Sequence, residues 1–234
     1  MNESKLKFRD LTTKKKIEYI WDYYKAPIII TIVLIFAVTS FVHGRLTAKT
    51  TIFRLAMIGS NVTELAQENL MDGFYYTCPG FNPDKEQMIL DANYDLDDPG
   101  LGAYTTQTRL LAEYSAGTID ATIASEETIK ALAESQAFAD LSEALPEDLM
   151  SEIENRNIEL IYNEYEDPAT GELHKYPAAV NISGSSVIRS GFTESTGDTL
   201  PYYDGDCFYG ICPNSSNLEN SIEFLKYLLD PDNP

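Results

Sequence analysis

The sequence predicts an α/β protein: one amino-terminal transmembrane helix, then a domain with a largely parallel sheet flanked by helices. Three observations predict it. Residues 26–42 (APIIITIVLIFAVTSFV) form one uncharged apolar block. Beyond residue 50, short apolar runs alternate with helical patterns across tight links, as in βαβ units. The charge is also divided, with a lysine-rich start ahead of a strongly acidic remainder.

At 1.5 Å of rise per residue the apolar block covers about 26 Å, close to the roughly 30 Å hydrocarbon core of a bilayer. Lys25 can snorkel, and Tyr19, Trp21, Tyr23 and Tyr24 make an aromatic belt on one side. A buried core helix and a cleaved signal peptide are the alternatives. The 25 residues ahead of the block are long for a signal n-region and no clear A-x-A site follows it, so an uncleaved signal anchor is expected. Lys5, Lys7, Arg9, Lys14, Lys15, Lys16 and Lys25 precede the block, and the positive-inside rule then puts residues 1–25 in the cytoplasm and 43–234 outside the cell membrane. Ile17, Ile20, Trp21 and Tyr24 recur at i, i+3, i+4 and i+7, so residues 14–25 read as a basic interfacial helix whose lysines meet anionic lipid. The lipid bilayer, through residues 26–42, is the expected partner. A cytoplasmic protein docked on 14–25 is the alternative.

From residue 50 onward there are 33 acidic and 8 basic side chains, a net of −25. Such a domain repels nucleic acid and anionic headgroups, so neither is an expected partner. Cys78, Cys207 and Cys212 all fall outside. Cys207 and Cys212 could close a small loop if they flank a turn, but an odd count is not a disulfide framework. Cys-x4-Cys without further His or Cys is a poor zinc signal, and buried small hydrophobes are the alternative. Asn61, Asn181 and Asn214 head glycosylation sequons, which matter only in a glycosylating host.

Residues 43–50 read as a stalk and 51–234 as the domain. Residues 53–58 (FRLAMI) form a mostly apolar strand ending at Gly59. Residues 63–71 follow as a helix and 87–92 as a second strand. Residues 105–116 make a helix with Leu110, Leu111 and Tyr114 on one face, closed by Gly117. Residues 120–124 are a strand, after which Ser125 caps a helix with Glu126 and Glu127 in its first turn. Pro146, Glu147 and Asp148 open another helix. Residues 158–165 and 172–182 flank the turn Asp167, Pro168, Ala169, Thr170 and Gly171, as in a hairpin. Residues 208–212 form a last strand. Residues 218–229 are a helix with a capping box of Ser216 and Glu219 and a buried face of Leu218, Ile222, Leu225 and Leu229.

Motifs for catalysis are missing: there is no G-x-S-x-G elbow, H-E-x-x-H pair or P-loop. His174, beside the predicted turn, is the one histidine of residues 51–234 and reads as a solvated loop residue, so no enzyme and no cofactor are expected. The run Asp91 to Asp98 starts like a calcium loop but has Leu96 and Gly102 where the loop needs its Gly and its bidentate Glu, and a solvated loop is favoured. Ligands of open α/β sheets gather beyond the carboxyl ends of the strands. On that rule the candidate binding residues are Ser60, Asn61, Asn93, Tyr94, Ser125, Glu126, Asn181, Ser183 and Asn214, each of which also has a plain capping or turn role.

Three stretches carry a family resemblance. Residues 109–146 (RLLAEYSAGTIDATIASEETIKALAESQAFADLSEALP) resemble the helix, small-Gly-x-x-Asp, strand and F-A-D-L passage of type 2 extracellular solute-binding proteins. Residues 175–183 (KYPAAVNIS) resemble the segment that crosses to their second lobe, and 208–229 (FYGICPNSSNLENSIEFLKYLL) their closing strand and helix. The chain also resembles small single-pass membrane proteins of Gram-positive, clostridia-like bacteria. Members of the solute-binding family are usually lipid-anchored through a cysteine after a cleaved signal, and no cysteine follows this span directly. Only some 25 residues, 184–208, stand where the family builds its second lobe. The resemblance therefore implies one solute-binding-like lobe with a shortened second, tethered by the span. Two functions are expected from it: a non-catalytic module that presents a small solute, a peptide or sugar, to a membrane transporter or sensor, or an envelope scaffold that has lost the solute site.

Overall fold

The computed structural model describes residues 12–78, 80–94, 96, 101–166, 170–193 and 199–230. The chain divides into two compact units, Met1–Lys49 and Thr50–Pro234. The first is helix α1, Thr13–Thr47, so the basic segment, the apolar block and most of the supposed stalk share one helix. Only Ala48 and Lys49 separate it in sequence from the first strand. It is long and apolar enough to cross a membrane: Tyr24–Phe41 has a mean hydropathy of 1.9 and none of it is buried. A soluble core helix would bury this surface, so that alternative falls. The Thr31 and Thr39 hydroxyls donate to the carbonyls of Pro27 and Ile35, both at 2.8 Å, which satisfies them on an apolar face.

The second unit runs β1 Thr50–Ile58, α2 Glu64–Thr77, β2 Glu86–Tyr94, α3 Leu101–Ser115, β3 Ala121–Ser125, α4 Glu126–Glu134, α5 Leu141–Ala144, α6 Glu147–Asn155, β4 Leu160–Glu166, β5 Leu173–Asn181, α7 Ser186–Ser190, β6 Phe192–Thr193, β7 Thr199–Leu200, β8 Cys207–Ile211 and α8 Leu218–Leu229. Six strands form one sheet in the order β2-β1-β3-β8-β5-β4, and β6 and β7 form a separate small hairpin. β1 is parallel to β2 and β3, but β8 is antiparallel to both β3 and β5, and β4 to β5.

The sheet is therefore mixed, which corrects the expectation of a largely parallel one. The physical reason lies in the connections. Helices α2 and α3 return the chain to the starting edge and make parallel neighbours. After β5 the chain stays at the edge where β5 ends, and β8 enters from there and must run back.

Alternation sorts the side chains onto two faces. Phe53, Leu55 and Met57 of β1 join one core with Phe74 of α2 and Phe224 of α8. Ala56 and Ile58 join the other, with Leu110 of α3 and Ile129 of α4. Phe74 and Phe224 meet edge to face at 4.9 Å, and burying each such ring contributes roughly 2–3 kcal/mol. Gly210, in the middle of β8, is required by packing: a Cβ there would lie 2.6 Å from the Phe138 ring.

Several local expectations change. Leu110 is buried but Leu111 is 51 % exposed, so the supposed apolar face of α3 splits. Asn217, not Ser216, precedes α8, and no side chain caps that helix. Cys207 and Cys212 stand at the two ends of a strand, about 16 Å apart at the usual rise and beyond disulfide reach. Both are buried free thiols. Burial pushes Cys207 up to about 11, the Ser183 hydroxyl opposing in part.

Candidate functional site

β1, β2, β3 and β5 all end at one edge of the sheet, and β8 starts there. Gly59 turns the chain out of β1 at φ +63°, and its N–H donates to the Tyr94 carbonyl at 3.1 Å, tying the ends of β1 and β2. Asn61 is held by the segment before β8: its N–H donates to the Tyr202 carbonyl at 3.0 Å and its amide to Asp204 Oδ1 at 3.2 Å. Tyr203 sits in the same segment, with its hydroxyl donating to the Ile123 carbonyl at 2.8 Å. Burial, helped by the nearby Cys207, raises the Tyr203 hydroxyl well above the ordinary tyrosine range, so it stays a neutral donor. The Ser60 hydroxyl lies close enough to Tyr203 to oppose part of that shift, yet it is buried without a hydrogen bond of good geometry.

Between this edge, α3 and α4 lies a cleft of ≈ 530 Å³. Ile58, Leu110 and Leu132 give it an apolar floor, and Leu96, Leu111 and Ala131 continue the wall. Its polar lining is Gln107, Ser125, Glu127, Thr128, Ser135, Asp204 and Asp206, with Tyr203 and Gly205 completing the far side. A concave hollow of this size, part apolar and part polar, is large enough for a small molecule.

The sequence-derived candidates fare differently. Ser125 lines the cleft while capping α4, its hydroxyl accepting the Thr128 N–H at 3.5 Å. Ser60 and Asn61 adjoin it through Gly59 and Asp204. Glu126 is engaged by Lys130 one turn on. Asn93 closes an Asx turn, its N–H donating to Asp91 Oδ1 at 2.9 Å. Tyr94 is buried, donates to Glu113 and carries the Arg109 guanidinium 4.7 Å over its ring. Asn181 donates to Glu159 at 3.1 Å, and Ser183 joins β5 to β8 by accepting the Cys207 N–H at 2.9 Å.

Asn214 lies at the opposite edge, because antiparallel β8 carries its carboxyl end to where β3 begins. Sequence reasoning missed Glu127, Tyr203, Asp204 and Asp206. The available signal for the last three was an aromatic pair followed by Asp-Gly-Asp just ahead of a strand.

The opposite edge is pinned by a buried carboxylate, beside a smaller hollow of ≈ 190 Å³ lined in part by Tyr114, Pro213 and Asn214. Asp120, 2 % exposed, accepts the Arg54 N–H at 2.7 Å, the Ser215 hydroxyl at 2.7 Å and the Asn217 amide at 3.2 Å. Ser215 and Asn217 are thereby turned away from capping α8. Gly117, at φ +62°, passes the Asn214 carbonyl so closely that a Cβ would come within 2.8 Å of it. Together these give the small-Gly-x-x-Asp motif a structural meaning.

His174 is on β5 rather than in a loop and stacks on Tyr165 at 5.1 Å. Asp91, first in the run compared with a calcium loop, pairs with Arg109, and Asp95, Asp97 and Asp98 lie outside the described residues. Burial pushes the Asp91 carboxyl up, but hydrogen bonds from the Asn93 N–H and Arg109, with the charge of Arg109, outweigh it and hold the group below its ordinary value.

No family model, curated protein or solved structure matches this chain. Its functional reading therefore rests on the cleft and on the sequence.

Proposed function

We propose that the chain is a membrane-anchored, non-catalytic binding module related to the solute-binding proteins. In this reading α1 spans the membrane with its amino terminus cytoplasmic, and residues 50–234 stand outside. The module holds a small solute, such as a peptide or sugar, for a transporter or sensor in the same membrane. One observation carries this: the cleft at the carboxyl ends of β1 and β3, with an apolar floor and a polar rim. Three further features support it. The stretches resembling solute-binding proteins include β3, β8 and β5, which are neighbours in the sheet. The lysine excess precedes the apolar block. Among the described residues, 184–206 contribute only α7 and the β6–β7 hairpin where the family has a second lobe, so the ligand would be held by one lobe and exchange quickly.

The test is thermal unfolding of the full chain in detergent micelles against amino acids, short peptides and sugars. A stabilisation that grows with the logarithm of ligand concentration is expected, about 2.7 kcal/mol at a hundredfold excess over Kd. A panel without any shift would sink the reading. The reduced 184–206 segment favours a second reading, an envelope scaffold whose surface meets a protein partner. Membrane crosslinking that returns one stoichiometric neighbour, with no solute response, would favour it.

A further inference from the structure

We infer that the cleft selects a small organic cation, a protonated amine on an apolar body; this rests on the reading that the cleft takes a solute. The lining chooses the charge. Glu127, Asp204 and Asp206 rim the cleft, and no lysine, arginine or histidine stands among the described lining residues. Neither Glu127 nor Asp206 belongs to an ion pair among the described residues, while Glu126 beside them is already engaged by Lys130. Asp204 accepts the Asn61 amide and belongs to no ion pair among the described residues.

One feature opposes a cation. The amino terminus of α4 points its N–H groups towards the rim and is equivalent to about half a positive charge. Glu126 and Glu127 occupy the first turn of that helix, however, and the rim carboxylates outnumber the helix end. The sign of the site is therefore negative. An anionic solute would meet three like charges. A polyol could hydrogen-bond with Gln107, Ser125, Thr128 and Ser135 but would leave the charge of the rim carboxylates unneutralised.

An alkyl body can pack on the apolar lining while its ammonium group sits among the rim carboxylates. The net of −25 from residue 50 onward raises the local concentration of any cation before it arrives.

The test uses the full chain in detergent micelles and three probes of equal spacer length: 1,6-diaminohexane, 1,6-hexanediol and adipate. Calorimetric titration is expected to show saturable binding of the diamine alone, weakening as salt is added. Glu127→Gln combined with Asp206→Asn is expected to weaken it about tenfold, each exposed charge pair being worth up to about fivefold. Glu143→Gln, a remote exposed carboxylate, is the control and should leave it unchanged. Equal or tighter binding of adipate or hexanediol at the cleft overturns the charge assignment while leaving solute binding intact. A diamine that fails to bind, or binds equally to the double variant, also overturns it. A silent response to the wider panel as well would end the solute-binding reading itself.

Discussion

The two edges of the sheet use the same side chains to opposite ends. At the amino edge, one carboxylate, Asp120, is buried and saturated by the Arg54 N–H, the Ser215 hydroxyl and the Asn217 amide. At the carboxyl edge, Glu127, Asp204 and Asp206 surround an apolar hollow, and a buried hydroxyl, Ser60, lacks a well-formed hydrogen bond. A carboxylate surrounded by donors locks strands to helices. Carboxylates around a partly apolar hollow leave free energy for a ligand to gain. The comparison divides the molecule into an edge built for stability and an edge open to recognition.

Mutations test that division most strongly at the Asp120 edge. Asp120→Ala strands several buried donors and should cost about 3 kcal/mol in urea unfolding, with Asp120→Asn costing less because one acceptor remains. A loss near zero would remove the lock. Gly117→Ala forces a Cβ against the Asn214 carbonyl from a positive φ, and a loss of about 1–2 kcal/mol is expected. At the open edge Tyr203→Phe deletes one buried hydrogen bond to Ile123 and should cost about 1 kcal/mol. Glu127→Gln should change stability by less than about 0.5 kcal/mol, since an exposed residue outside the ion pairs of the described residues carries little. A large loss there would mean that the cleft is structural.

The pH dependence sharpens the contrast further. Asp91 is held below its ordinary value, so its contribution is complete above the unfolded carboxylate value of about 4 and is lost as pH falls through the lower folded value. Because Arg109 is 42 % exposed, the loss should stay under about 1 kcal/mol. Comparing acid unfolding of the chain with that of Arg109→Gln isolates it, and identical curves would remove the Asp91–Arg109 contribution.

Much of the fold was legible in the sequence wherever local patterning decides it. The extent of helix α8, Leu218–Leu229, was legible and its face at Leu225 and Leu229 is buried, although Leu218, expected on that face, is exposed; Ser125 announced the start of α4 by its capping chemistry. Strand direction was not legible, because β8 has the same apolar pattern whichever way it runs. That one unread sign produced both the expectation of a parallel sheet and the grouping of Asn214 with the carboxyl edge. Half of the cleft was hidden for another reason. Tyr203, Asp204 and Asp206 lie in irregular chain, where no periodicity marks what faces inward, while Asn93, Tyr94, Asn181 and Ser183 stand at the right edge but spend their polar groups on neighbours.

Hydrogen exchange of the full chain, with and without the solute that most raises its melting temperature, tests the division directly. Protection should rise at Gly59 to Asn61, Ser125 to Thr128 and Tyr203 to Asp206, and stay unchanged at Ser215 to Asn217. Protection gained at the Asp120 edge, or none at the cleft despite a higher melting temperature, would contradict the account.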